Sequence, residues 1–169
     1  MSTARPHRGM TRMAIGRALA RRAGGPLLGA AALLAGCDRP RAPSLELNFI
    51  PVAGNPPLPF SSAVRAGDML YLSGQIGTDS TGKLVAGGIG PETRQTMENV
   101  RAVVERHGSS MDRVVKCLVM LADMGEWNAM NQVYVTYFPS HLPARSAMGA
   151  SGLALGARVE IECLAAIGR

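Results

Sequence analysis

The chain switches its spacing of apolar residues several times after residue 60, and each switch predicts an element. Residues 69–73, Met-Leu-Tyr-Leu-Ser, follow the turn residues Ala66-Gly67-Asp68 and read as a short strand. Asp79-Ser80-Thr81-Gly82 is a second turn ahead of Leu84-Val85, so a hairpin or meander is expected here. From about Pro91 to His107 the period becomes helical: Met97, Val100, Val103, Val104 and His107 share one stripe, Glu92 complements the positive end of the dipole and Gly108 ends the run. Residues 114–121, VVKCLVML, are apolar apart from Lys116 and predict a strand in the interior of a sheet. A second helix, about Glu126 to Phe138, gathers Trp127, Met130, Tyr134, Tyr137 and Phe138 on one face, a core stripe rather than a cofactor box.

Two further strand-like runs close the chain between Leu142 and Ala166. The first leaves Pro143, and the second alternates Val159, Ile161 and Cys163 against Glu160 and Glu162. A β-β-α-β-α-β-β order predicts an α+β domain with both helices laid on one face of a single sheet. Arg145 and Glu160 interrupt the closing runs with charge, and the glycine-rich GASGLALGA between the runs suggests strands lying close together. Two readings follow. The charges form a structural ion pair between neighbouring strands, or they face one pocket as a fork for a substrate carboxylate and a base for water.

Charge alters the picture only once it is divided along the chain. Residues 1–43 hold eight Arg against Asp38 alone, while the remaining residues hold ten Lys and Arg against eleven Asp and Glu. The net charge of +6 is therefore a property of the leader, and the body, at −1, has no electrostatic footprint for nucleic acid.

In that leader, arginines at 12, 17, 21 and 22 precede an apolar stretch, Gly24 to Gly36, that ends at Leu34-Ala35-Gly36-Cys37. Thirteen residues at about 1.5 Å each fall short of a hydrocarbon core of roughly 30 Å, so the stretch predicts a secretory signal rather than a permanent membrane span. The cut resembles a bacterial lipobox, in which the cysteine is diacylated and becomes the new N-terminus. The expected organisation is a signal peptide over 1–36, lipidation at Cys37, a proline-rich tether over 37–54 and a folded domain over 55–169. Within the tether, Asn48 to Val52 suits an edge strand, because Pro51 removes a ladder donor. Export, a lipid anchor and a site facing the periplasm or the outside follow from that reading.

Five segments in order resemble one family, the reactive intermediate deaminases (RidA, or YjgF-like, proteins): Gly67-Asp68-Met69 through LYLSGQIG, the helix around Gln95-Thr96-Met97-Glu98-Asn99-Val100, LADMGEWNAMNQVYVTYF, LPARSAM and VEIECLAA. The resemblance covers about residues 55–169. It implies the chorismate-mutase-like fold, a homotrimer, and clefts between subunits that hydrolyse 2-imino or 2-enamino acids to 2-oxo acids and ammonia. Arg145 falls where the family grips the substrate carboxylate and Glu160 where it holds the hydrolytic water. Ser73, Gly74 and Asn131 match pocket-lining positions, though turn or cap roles fit them equally. Phe60 stands where the family often has tyrosine, and Ala147 where it often has cysteine; a phenol donor and a thiol are lost, and the backbone at 147 still offers its polar groups.

The implied mechanism requires neither cofactor nor metal, and His7, His107 and His141 are too scattered to form a ligand set. Cys117 and Cys163 lack a CxxC pattern; export would permit a disulfide between them, but the sequence gives no distance, and buried free thiols are expected. The alternative to an enzyme is a non-catalytic trimeric module that binds small carboxylates or a protein partner.

Overall fold

A computed structural model describes residues 44–53 and 58–168. The leader with Cys37, and His7, lie outside those residues. Seven strands and two helices follow in the order β1 (Leu47–Pro51), β2 (Ser61–Ala66), β3 (Met69–Leu72), β4 (Gln75–Ile76), α1 (Ile89–Arg106), β5 (Val114–Leu121), α2 (Trp127–Tyr134), β6 (Ala144–Gly149) and β7 (Val159–Ala166). All strands join one mixed sheet, in which β1, β2, β3, β7, β5 and β6 lie side by side and the short β4 also pairs with β7. This is the α+β arrangement expected from the order of elements.

The helical and strand periods decide the layers. Met97, Val100, Val103 and Val104 of α1 are buried, as is Met130 of α2, and they pack on Leu70, Val119, Leu121, Val159 and Ile161 from the sheet. His107 is only half-buried and caps α1 rather than extending its stripe. Gly108 follows at φ +82°, a left-handed turn that lets Ser109 N–H reach the Val104 carbonyl at 2.9 Å and close the helix. β5 runs over the segment expected, with β7 antiparallel on one side and β6 parallel on the other. The other face of the sheet keeps Leu47, Phe49, Tyr71 and Met148 about half-exposed or more.

Two expectations are corrected. β6 and β7 are not neighbours, because β5 lies between them and the glycine-rich connection passes over its end. Cys117 and Cys163 are not free thiols: they sit directly opposite one another on β5 and β7, both pointing into the core, and form a disulfide. Sequence spacing gave no sign of this, since the pairing register sets the distance.

Candidate functional site

The sequence between β3 and β4 contains one residue more than its partner strand. Tyr71 pairs with Leu164 and Gln75 with Ile161, four steps along one strand against three along the other, which makes Ser73-Gly74 a β-bulge. Ser73 secures the bulge by donating its N–H to the Ser62 carbonyl at 3.1 Å and its Oγ–H to that of Ser61 at 2.6 Å. Gln75 Nε2 donates back to the carbonyl of Ser73 at 3.0 Å. Within the chain, then, the Ser73 side chain ties the bulge to β2.

Gly74 is required for a different reason. A Cβ at this position would lie 1.9 Å from Glu160 Oε1, so the carboxyl group rests against bare backbone. Glu160 alternates with buried Val159 and Ile161 and projects from the sheet face away from the helices. Burial, and secondarily the nearby Glu162 carboxylate, raise its pKa above the ordinary carboxylate value. A half-buried carboxylate with a raised pKa is a stronger proton acceptor than one free in water, the property a base for water needs.

Arg145 has other surroundings. Its register with Cys117 turns it toward the helix side of β6, where α2 presents Trp127, Asn131 and Tyr134 at helical spacing. Nη1 donates to Asn131 Oδ1 at 2.7 Å, and the guanidinium lies 5.1 Å from the Trp127 ring centroid and 4.7 Å from that of Tyr134. The two rings hold the cation by cation–π attraction without occupying its N–H groups. Among the described residues, Asn131 is its one hydrogen-bond acceptor, which leaves the rest of the fork available to an anion. Burial pushes the Tyr134 phenol up to about 12, with Arg145 opposing, so the ring stays neutral at physiological pH. Ala147, two residues on, packs half-buried on the same face.

The expected site residues therefore fall into two groups: Arg145, Asn131 and Ala147 on the helix side, and Glu160, Gly74 and Ser73 at the bulge. Met120 pairs with both Glu160 and Met148, which places Arg145 three residues along β6 from the level of Glu160. With strands about 4.8 Å apart and a rise of about 3.3 Å per residue, the two Cα atoms are roughly 14 Å apart, and the side chains leave opposite faces. The picture of both charges facing one pocket within a chain is corrected. The ion-pair reading fails too, since the two side chains leave opposite faces and Arg145 bonds to Asn131 instead. Phe60, half-exposed ahead of β2, lines with Gly74 a cavity of about 580 Å³ that extends to Arg106 and His107 at the end of α1.

Tyr134 is buried in the core and Trp127 packs against it, as the aromatic stripe predicts, and both rings also border the Arg145 guanidinium. The available signal of this second role was Asn131, a polar residue on the same face as that aromatic stripe. No cluster of metal-ligating side chains occurs among the described residues.

A family model described as endoribonuclease L-PSP matches residues 52–167. The chain belongs to the RidA/YjgF family. A mouse 2-iminobutanoate/2-iminopropanoate deaminase is 42% identical over 111 residues, spanning 65% of this chain and 82% of that protein. Among solved structures of the family, RidA from an Antarctic Psychrobacter bacterium is 33% identical with a TM-score of 0.63, covering 75% of this chain and 100% of that one. The YjgF gene product of E. coli is 31% identical with a TM-score of 0.62, covering 70% and 93%.

Proposed function

We propose that this RidA family member is a hydrolytic deaminase of 2-imino and 2-enamino acids, and that each of its sites is built from two copies of the chain. The observation that carries the reading is the separation of a guanidinium held with free N–H groups from a carboxyl group held against bare glycine. Neither half suffices alone, and the two are complementary to the two ends of one small substrate. The names of the mouse deaminase and its like support the reaction class.

In this reading Arg145 of one copy grips the substrate carboxylate while Glu160 of another holds a water molecule beside the imine carbon. Glu160 takes a proton from the water as its oxygen adds to the protonated C=N carbon. The resulting carboxylic acid then returns the proton to nitrogen, and as the C–N bond breaks the regenerated carboxylate takes the remaining hydroxyl proton, releasing ammonia and the 2-oxo acid. Positioning supplies most of the acceleration, because the protonated imine is already electrophilic.

A homotrimer is the assembly proposed to bring the halves together. The half-exposed Leu47, Phe49, Tyr71 and Met148 on the uncovered sheet face support association. Export with a lipid anchor at Cys37 is proposed for the address, supported by the basic and apolar leader and by the Cys117–Cys163 disulfide, which persists in oxidising compartments. Mass spectrometry of the mature chain tests this: a lipidated Cys37 at the N-terminus is expected, and an unlipidated full-length chain in the cytoplasm would refute it.

The decisive experiment mixes two inactive variants, Arg145→Ala and Glu160→Gln, and reassembles them. Sites drawing Arg145 from one variant and Glu160 from the other are complete, so random assembly should restore up to about a quarter of the parental activity. Mixed oligomers without recovery would end the shared-site reading. A parent inactive on every imino acid generated in situ would end the deaminase reading, and leave a module that binds small carboxylates.

A further inference from the structure

The entrance to β7 is held by a side chain that the proposed mechanism does not use. Glu92, in the first turn of α1, is only 4% exposed, and its Oε1 accepts the backbone N–H of Arg158 at 2.6 Å and that of Val159 at 3.3 Å. These are the two residues directly before Glu160. The Arg158 carbonyl in turn accepts from Ala122 N–H at 3.0 Å, so this stretch of backbone is fixed through both of its polar groups.

The same side chain also supports β4. A Cβ on Gly77 would meet Glu92 Cγ at 2.5 Å and the Glu92 carbonyl oxygen at 2.7 Å, so the backbone leaving β4 lies directly on Glu92. Ile76, the residue before it, pairs with Glu160. Glu92 is anchored in its own helix, where Thr96 Oγ1–H donates to its carbonyl at 2.9 Å. One buried residue therefore touches the segments that set both walls around Glu160: the start of β7 through its carboxylate and the end of β4 through its stem and backbone.

We infer that Glu92 is a positioning residue for Glu160, fixing from the helix side the depth at which that carboxyl group meets Gly74 on the opposite face. Charge-assisted hydrogen bonds donated by backbone N–H groups to a carboxylate are short and strong, so a carboxylate is suited to this task. Its direct contacts are to the carboxylate half: Asn131 and the rings that hold Arg145 stand on α2, which this stretch meets through the Arg158 side chain on Glu126. The inference rests on Glu160 holding the hydrolytic water.

The test is steady-state imine hydrolysis and thermal melting for Glu92→Ala, Glu92→Asp, Glu92→Gln and a control, Tyr137→Phe. The control removes a phenol that bonds to the Arg94 carbonyl and to Glu98, away from both half-sites. Glu92→Ala should lower kcat about ten- to a hundredfold with KM within about threefold, because carboxylate gripping is untouched. Glu92→Gln keeps a carbonyl within reach of both amides and should recover to within about threefold of the parent. Glu92→Asp keeps the charge on a stem one methylene shorter, so it should fall between the two, and it serves as the reading if the alanine variant does not fold. Tyr137→Phe should lower the melting temperature and leave kcat unchanged. The inference is overturned if kcat per folded molecule is the same in Glu92→Ala, or in Glu92→Asp where that variant serves, as in Tyr137→Phe, or if Glu92→Gln is as impaired as Glu92→Ala. A parent without hydrolysis on any imino acid overturns instead the reading of Glu160 on which the inference rests.

Discussion

The guanidinium and the carboxylate half-sites are built in opposite ways. Arg145 is a long side chain on β6, held in place by contacts to its far end: two rings and an amide oxygen from a helix. Glu160 is held through its backbone, on a strand paired on both sides, with its carboxyl group against a glycine in a bulge. The first device tolerates small shifts of the strand because the head group is gripped. The second transmits any shift of the strand to the reacting group. A binding group can accept the first arrangement, whereas a base needs the second, since misplacement by about 1 Å can cost 10²-fold in rate.

The largest expected effect breaks the guanidinium half. Arg145→Ala should lower kcat/KM by about 10²- to 10³-fold, and Arg145→Lys should not restore it, because an ammonium cannot reproduce the fork or its contact with the rings. Recovery with lysine would show that charge alone is needed there. Next is Gly74→Ala, which leaves Arg145 untouched and puts a methyl group in the place of a Glu160 oxygen. It should lower kcat by about 10²-fold while the affinity for a non-reacting 2-oxo acid stays within a few-fold. A parallel loss of affinity would mean that the halves are not separable.

The smallest effect sharpens the comparison. The proposed base works only when deprotonated, so the raised pKa of Glu160 is expected to place the acid limb of the kcat profile above the ordinary carboxylate value. Glu162→Gln removes a repulsive charge and should move that limb to lower pH, with burial, the larger cause, still holding it up. A limb that stays in place would assign it to another group.

What the sequence disclosed depended on whether the cause was local. The 114–121 strand and the helix near 91–107 were legible from periodicity, since a buried face imprints itself on consecutive residues. The identities of Arg145 and Glu160 stood out as charges in apolar runs. Their opposite faces were hidden, because the insertion of β5 between β6 and β7 is a matter of strand order, which no window of residues records. The bulge at Ser73-Gly74 and the Cys117–Cys163 bond were hidden for the same reason: each is a statement about register between distant segments. Trp127 and Tyr134 were found but given the common role of such residues, and only their neighbour Arg145 distinguishes them.

The place of β7 has a consequence for how the chain acquires its structure. It is the last of the described strands and yet lies between β3 and β5, so the sheet remains in two pieces until this segment arrives. Synthesis from the N-terminus cannot complete this domain residue by residue, and closing it requires contacts between segments far apart in the chain, which slows folding.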